Sequence, residues 1–439
     1  MSHERSHPCV LVVGTADTKA DEILYLRRCI ESAGASAMVM DVGVLGSAPF
    51  VPEVGGADVA RAADTTLERV RRSTDENEAM STMARGASSI AARLNADGAV
   101  QGAIVLGGTM GTDLSLDVAA ALPLGVPKMV ISTVAHSHLI PPGRIAPDLM
   151  TILWAGGLYG LNPVCESALS QAAGAVVGAC RTAAAPRFDR PLVGMTSFGS
   201  SVLNYMVALK PALAVRGYEL AVFHATGMGG RAFEALAGEG RFAAVMDFCL
   251  QEVSNHVHGS VVTSGPDRLS AAGRAGVPQL VAPGGIDMID LPAWQPVPAS
   301  LAGRTYHAHN RLIASVSATA NERRETARFI ADRLGRARAP TTMILPLQGI
   351  EQWDRPGEPM HDPPALAAFM DEFRRRAPAT VPVIELDAHI NDPAFADCAM
   401  QVFDRWIGEG VVTPGAGAVT ARGASASPGA VARRSGPAP

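Results

Sequence analysis

The chain alternates short, almost wholly apolar runs with longer stretches whose apolar positions recur at helical spacing. Cys9–Gly14 is an apolar run that stops at a glycine, and within 17–34 the positions Ile23, Leu26, Ile30 and Ala33 share one helical face. The pattern predicts strands over 37–42, 99–106 and 127–132, and helices over 76–95, 113–121 and 162–180. Strands apolar along their whole length are covered on both faces, which predicts a parallel sheet between layers of helices. The segment 182–191 (TAAAPRFDRP) breaks the pattern, being Ala/Pro-rich, charged and aperiodic. After it the alternation restarts, with strands predicted over 192–196, 219–224, 260–263, 279–282, 342–345 and 381–386. Helices are predicted over 202–216, 230–237, 267–275, 322–334, 364–375 and 393–406. The expected architecture is α/β: two Rossmann-like, doubly wound parallel-sheet domains, 1–185 and 186–410, with a cleft between them. An Ala/Gly/Pro-rich tail over 411–439 holds too little apolar surface to offset its ordering entropy and is expected to be disordered.

Composition narrows the function classes. The 439 residues are 48% hydrophobic and carry a formal net charge of -5, so a basic nucleic-acid-binding stripe is not expected. No apolar run is long enough to span a bilayer, and no secretory leader pattern opens the chain. The six cysteines are scattered with no C-x-x-C, which fits reduced thiols in a cytoplasmic protein. Of 37 basic residues only Lys19, Lys128 and Lys210 are lysines. Against that arginine background, a lysine in a strand-to-helix turn draws notice.

Lys19 closes such a turn, Gly14-Thr15-Ala16-Asp17-Thr18-Lys19. Ligands of open α/β sheets bind at the carboxyl ends of strands, and a helix N-terminus favours an anion. Gly14 permits close approach, Thr15 and Thr18 offer hydroxyls, Lys19 offers a charge for phosphate, and Asp17 is placed to cap the helix or hold Mg²⁺ through water. Asp41, at the end of the second strand, lies where an acidic residue often accepts ribose hydroxyls. A second glycine-rich turn, Gly107-Gly108-Thr109-Met110-Gly111-Thr112, belongs on the same sheet edge. The two turns together outline a phosphate cradle, with Thr109 and Thr112 as hydroxyl donors.

In the second domain, His224 ends a strand and Gly227, Gly229, Gly230 and Arg231 open a helix, with Glu234 one turn on. Arg231 is a candidate for bidentate contact with a carboxylate or phosphate. Segments 263–268 and 283–287 are further strand-end turns, Asp267 being a plausible helix cap. Three His-x-His pairs (His136/His138, His256/His258, His307/His309), with Glu252, raise a metal-dependent hydrolase as a rival, although none shows a diagnostic ligand spacing. His309-Asn310 reads as a substrate contact.

The strings VGTADTKADEILYLR (13–27), LGGTMGT (106–112), LPLGVPKMVIST (122–133), FHATGMGGRAFE (223–234), SGPDRLSAAGRAGVPQLVAPGGIDMID (264–290) and HINDPAFA (389–396) resemble the Tm-one-like ATP-binding family. The resemblance covers about 9–410. It implies two Rossmann-like subdomains, ATP–Mg²⁺ bound in the first, and a homodimer. It puts the nucleotide loop on Gly14–Lys19, the glycine-rich loop on 107–112, and the second-domain signature on His224, Gly227, Gly229, Gly230, Arg231 and Glu234. Four positions depart from the family pattern. Met110 replaces a glycine, Gly157 an acidic residue and Ser317 an arginine, and Glu351 stands where serine is typical.

The expected function is therefore an ATP-binding enzyme that couples ATP–Mg²⁺ to a small anionic metabolite across the cleft. His224, Arg231, Glu234, Glu252, His309 and Asn310 are its candidate catalytic groups. A non-catalytic, nucleotide-responsive module that captures a protein partner is the alternative from another class. No membrane partner is expected.

Overall fold

The computed structural model describes residues 7–416 except 185 and 200. Among these described residues fourteen strands form three sheets. The first holds β1 (Cys9–Gly14), β2 (Ser36–Asp41), β3 (Gly102–Gly107), β4 (Lys128–Ser132) and β5 (Met150–Leu153) in the order β2-β1-β3-β4-β5, every pair parallel. β1, β3 and β4 are apolar on both faces and almost wholly buried. One face packs on helices Ala20–Ser32 and Pro163–Thr182 through Ile23, Leu26, Leu169 and Val176. The other packs on Glu76–Ala96 and Thr109–Ala121 through Met83, Ile90, Leu114 and Val118.

The second sheet holds β6 (Leu192–Ser197), β7 (Glu219–His224), β8 (Ala244–Cys249), β9 (Gln279–Gly284), β13 (Thr341–Pro346) and β14 (Val383–Leu386), again all parallel. Read from β7 its order is β7-β6-β8-β9-β13-β14. That is the order of the first sheet with one strand added. In each domain the direction of winding reverses beside the first strand, at β1/β3 and at β6/β8. At such a switch point the strand-end loops diverge and leave a crevice for ligands. The two-domain parallel α/β architecture expected from the sequence is the one present.

Three features differ from the expected pattern. β8 reads poorly as a strand because Asp247 sits amid its apolar residues, yet Asp247 is 2% exposed and neutralised by a buried arginine described below. Segment 260–263 is a loop instead of a strand, since Ser260 Oγ donates to Asp290 O and Asn255 Nδ2 to Val262 O. Between β9 and β13 the chain forms a small antiparallel sheet, β10 (Met288–Pro292), β11 (Tyr306–Ala308) and β12 (Ile313–Ser317), in the order β10-β12-β11.

Of the expected tail, 411–416 packs onto the second domain. Val412 is fully buried, and Ala416 N–H donates to Gly217 O at 3.0 Å. The remainder, 417–439, lies outside the described residues. Among the described residues no helix is long and apolar enough to cross a membrane, and no cysteine forms a disulfide.

Candidate functional site

β1 and β3 are neighbours, so segments 14–19 and 107–112 leave the sheet side by side. Gly14 sits tightly against the core, since a Cβ there would lie 2.8 Å from Leu106 Cδ2 and Leu106 would have to shift. Beyond it, Thr18 N–H and Lys19 N–H both donate to Thr15 O, at 3.1 and 2.8 Å, and the Thr15 and Thr18 hydroxyls bond each other at 2.8 Å. Helix Ala20–Ser32 then starts with Lys19 as its N-cap and no side-chain cap. Its first-turn amides are left for solvent or an anion. The Lys19 ammonium stands 5.2 Å from the centre of the exposed Tyr159 ring, which gives it a weak cation–π neighbour and no carboxylate.

The second turn is built alike. A Cβ on Gly107 would lie 2.4 Å from Gly111 Cα, so glycine alone lets the strand end and the helix meet. Gly108 is the N-cap of Thr109–Ala121, again with no side-chain cap, and a Cβ there would meet only Thr133 Oγ1, at 4.0 Å. Thr109 opens the helix with an exposed side chain. Met110 lies in the first helical turn without a positive φ, so the departure from glycine strains nothing. Its half-exposed side chain borders a cavity of about 280 Å³ lined also by Thr109, Leu139 and Arg144.

Other predicted groups serve the loops. Asp41 Oδ1 accepts Ala16 N–H at 2.9 Å and Gly43 N–H at 2.8 Å, tying the β1 turn to the β2 end. Burial raises its carboxyl above the ordinary range despite these bonds. Asp17 Oδ2 accepts Leu45 and Gly46 N–H, while Oδ1 is buried with no partner. Thr112 is buried with its hydroxyl 2.7 Å from Ser132 Oγ, turned from the edge.

In the second domain Arg268, the last residue of the strand-end turn 263–268, organises the strand ends. Arg268 is fully buried and makes five hydrogen bonds, one for each guanidinium N–H. Nη1 and Nη2 grip Asp247 bidentately, Nε donates to Glu252 Oε2 at 3.0 Å, Nη1 to Glu234 Oε1 at 3.2 Å, and Nη2 to Cys249 O at 3.2 Å. Burial opposes its charge, but Asp247 first, then Glu252 and Glu234, hold it well above the usual range. Glu252 also accepts Gly227 and Gly230 N–H, at 2.5 and 3.1 Å. A Cβ on Gly230 would lie 1.7 Å from Glu252 Oε2, which explains the glycine. Glu234 accepts the amides of Leu269, Ser270 and Ala271. That helix start is thus capped by Glu234; Asp267, expected to cap it, gives only its backbone carbonyl, to Ser270 N–H.

Arg231 joins the domains, its Nη1 donating to Ser264 O at 3.1 Å and its Nη2 to Gly143 O. Gly143 follows β4 and Arg231 follows β7, so carboxyl-end loops of the two sheets meet there. Asn310 is a turn former, its Oδ1 accepting Leu312 and Ile313 N–H.

Two predicted histidines converge. His224, at the end of β7, and His309, beyond β11, both face the Phe198 ring, at 5.7 and 6.4 Å between centroids. His307 lies over Trp353 at 3.8 Å, and His309 is 6.1 Å from Trp353. Burial, then the charge of His309, holds His224 below the ordinary imidazole range. Beneath them Asp290 is fully buried and accepts from Gln251 Nε2 at 2.6 Å, Asn255 Nδ2 at 2.8 Å and Ser315 Oγ at 2.6 Å. Burial pushes its carboxyl up to about 6, opposed by those donors and by His309. Trp353 belongs to the same cluster although no motif marks it.

The His256/His258 pair engages other partners. His256 packs on Phe329, and His258 Nε2 lies 3.2 Å from Glu322 O and 3.1 Å from Thr326 Oγ1. Among the described residues no group of three or more His, Cys, Asp or Glu is disposed to hold a metal ion.

Two models of the Uncharacterised protein family (UPF0261) match in tandem, its N-terminal domain over residues 8–185 and its C-terminal domain over 190–407. A UPF0261 protein of Brucella melitensis is 56% identical over 415 residues, covering 94% of this chain and 99% of that one. A UPF0261 protein of Clostridium tetani is 33% identical over 390 residues, covering 88% and 96%. The ToMV susceptible protein tm-1(GCR26) of Solanum lycopersicum is 30% identical over 426 residues, covering 91% of this chain and 56% of that longer protein.

Proposed function

The chain belongs to the UPF0261 family, in which it spans both domains, and from that premise we propose that it binds the phosphates of ATP at the β1/β3 crevice and uses them on a small anionic substrate held at the second-domain edge. The observation that carries this reading is the pair of uncapped helix N-termini, at Lys19 and Gly108, on adjacent strand ends. Their free amides, the open face of Gly108 and the Lys19 ammonium suit a polyphosphate. Mg²⁺ would neutralise phosphate charge. The chain offers the ion no preset cage, since Asp17 and Asp41 engage backbone amides, so it would arrive on the nucleotide. In the second domain, His224 and His309 flank an aromatic floor of Phe198 and Trp353 beside a buried Asp290. An imidazole pair on such a floor suits an anionic substrate and proton transfer at its surface.

Isothermal titration with ATP–Mg²⁺ tests the first half. Binding is expected, and Lys19→Ala should weaken it about tenfold or more, as loss of a phosphate charge contact of 1.4 kcal/mol or above does. No heat and no thermal shift at millimolar nucleotide would sink the proposal. Release of ADP or AMP in the presence of a metabolite pool separates the enzyme from the non-catalytic module.

A further inference from the structure

A second group of buried acids lies at the carboxyl ends of β9, β13 and β14. Asp287 follows β9, Glu351 and Asp354 follow β13, and His389 follows β14. Arg323 enters from helix Ala320–Leu334 and Gln251 from the segment after β8. All six are buried, with Asp287, Glu351 and Gln251 at 0% exposure. Part of the cluster is paired. Asp354 Oδ1 meets His389 Nε2 at 3.0 Å and Oδ2 accepts Ile350 N–H at 2.7 Å. Arg323 Nε donates to Ala318 O at 3.0 Å, and Glu351 Oε2 accepts Trp353 N–H at 2.7 Å.

The rest is not. Both oxygens of Asp287, Glu351 Oε1, Gln251 Oε1 and Arg323 Nη2 have no hydrogen-bond partner. Buried groups of this kind are satisfied by ordered water, and a buried carboxyl with too little counter-charge keeps its proton. Here three carboxyls face one guanidinium and one imidazole.

We propose that Asp287 and Glu351 form a proton-holding pair around internal water, with Glu351 in its acid form at neutral pH, and that this proton keeps Trp353 in place as the floor of the second-domain ring cluster. Only the last clause rests on the site reading above. The route is short, because Glu351 accepts the Trp353 amide and the Trp353 ring stacks on His307. When the proton leaves to solvent, a third negative charge beside those of Asp287 and Asp354 repels the loop that carries Trp353. Burial, and then the charge of Asp287, pushes Glu351 up to about 10; burial, with Asp354 adding to it, pushes Asp287 up to about 7. Arg323 opposes both. His307 and His309 are the ionisable groups facing the Trp353 ring, and burial holds His307 below its ordinary range, so its charge change lies on the acid side.

The test uses the full chain. Infrared difference spectra between about pH 9 and 11, above the range in which Asp287 loses its own proton, should show a protonated-carboxyl band lost on the alkaline side, absent from Glu351→Gln. Tryptophan emission should follow the same one-proton transition and lose it in Trp353→Phe. Glu351→Gln should also flatten the loss of thermal stability as pH rises from the ordinary carboxyl range to about 10, since the unfolded chain releases this proton over that span while the folded chain keeps it. Retention of the band in Glu351→Gln would overturn the assignment, as would stoichiometric metal on elemental analysis. A band that titrates without any emission change would overturn the link to Trp353 alone.

Discussion

Arg268→Met is the substitution with the largest consequence that can be worked from contacts. It removes five hydrogen bonds and the positive charge within reach of Asp247, Glu252 and Glu234, while keeping an unbranched apolar stem. Breaking a buried ion pair from one side costs about 3–5 kcal/mol, because the partners remain buried and unpaired. Here three partners remain, so the upper end is expected, out of a total stability of about 5–15 kcal/mol for an ordinary domain. Arg268→Lys keeps the charge but offers three donors in place of five and cannot grip Asp247 bidentately. It should cost less than Arg268→Met, about 2–3 kcal/mol. The deficit depends on pH. Without Arg268 the carboxyls take up protons in the folded state that the unfolded chain lacks near neutrality. The variant therefore loses stability as pH rises, by up to about 1.4 kcal/mol per pH unit for each such proton. Urea unfolding at pH 5.5 and pH 8, followed by tryptophan emission and by circular dichroism, measures both terms. A loss under about 1 kcal/mol, or a deficit equal at the two pH values, would show that the cluster does not hold the strand ends as argued.

Three further outcomes follow from the same contacts. Gly230→Ala should cost about 1–3 kcal/mol or more by thermal unfolding, because its Cβ would overlap Glu252 Oε2. Gly174→Ala, in helix Pro163–Thr182 with nothing within 4 Å of the added carbon, should be neutral or stabilising by up to about 1 kcal/mol. Arg231→Ala should leave each domain's unfolding nearly unchanged but raise amide exchange around Gly143, since it removes the bonds to Gly143 O and Ser264 O.

What the sequence made legible was what local chemistry determines. Wholly apolar runs identified most strands of the two parallel sheets, β5 and β8 being missed, and glycine-rich turns marked several carboxyl ends, because close approach there leaves no room for a Cβ at Gly107 and Gly230. It could not assign side chains whose roles depend on distant partners. Asp41 was singled out for a ribose and holds Ala16 and Gly43 instead. Glu234 and Glu252 are candidates for chemistry from sequence, and both face Arg268, which the sequence marks only as the last residue of a strand-end turn. The only hint was Asp247 inside an apolar run, since a buried acid in a central strand needs a buried cation. Trp353 and the Asp287–Glu351 pair come together from loops after different strands, so no spacing within one segment announces them. Glu351 drew notice only as a departure from a pattern.

The two domains repeat one topology but use its strand ends in opposite ways, and this bears on which edge binds what. In the first, acids fasten loop amides (Asp41 on 16 and 43, Asp17 on 45 and 46), so the helix N-termini keep their own amides open and Lys19 has no acidic partner. An edge of free N–H groups and one ammonium attracts phosphate. In the second, acids reach the helix starts themselves: Glu252 takes the amides of 227 and 230, Glu234 those of 269 to 271. Carboxylates seated there repel an anion from those N-termini and leave the outer rim to His224, His307, His309 and Trp353. A phosphate group should therefore choose the first domain even though both offer glycine-rich turns. Titrating inorganic tripolyphosphate against the full chain checks this. Lys19→Ala should weaken it, whereas His224→Ala should not, and the reverse pattern would place the phosphate site on the second edge.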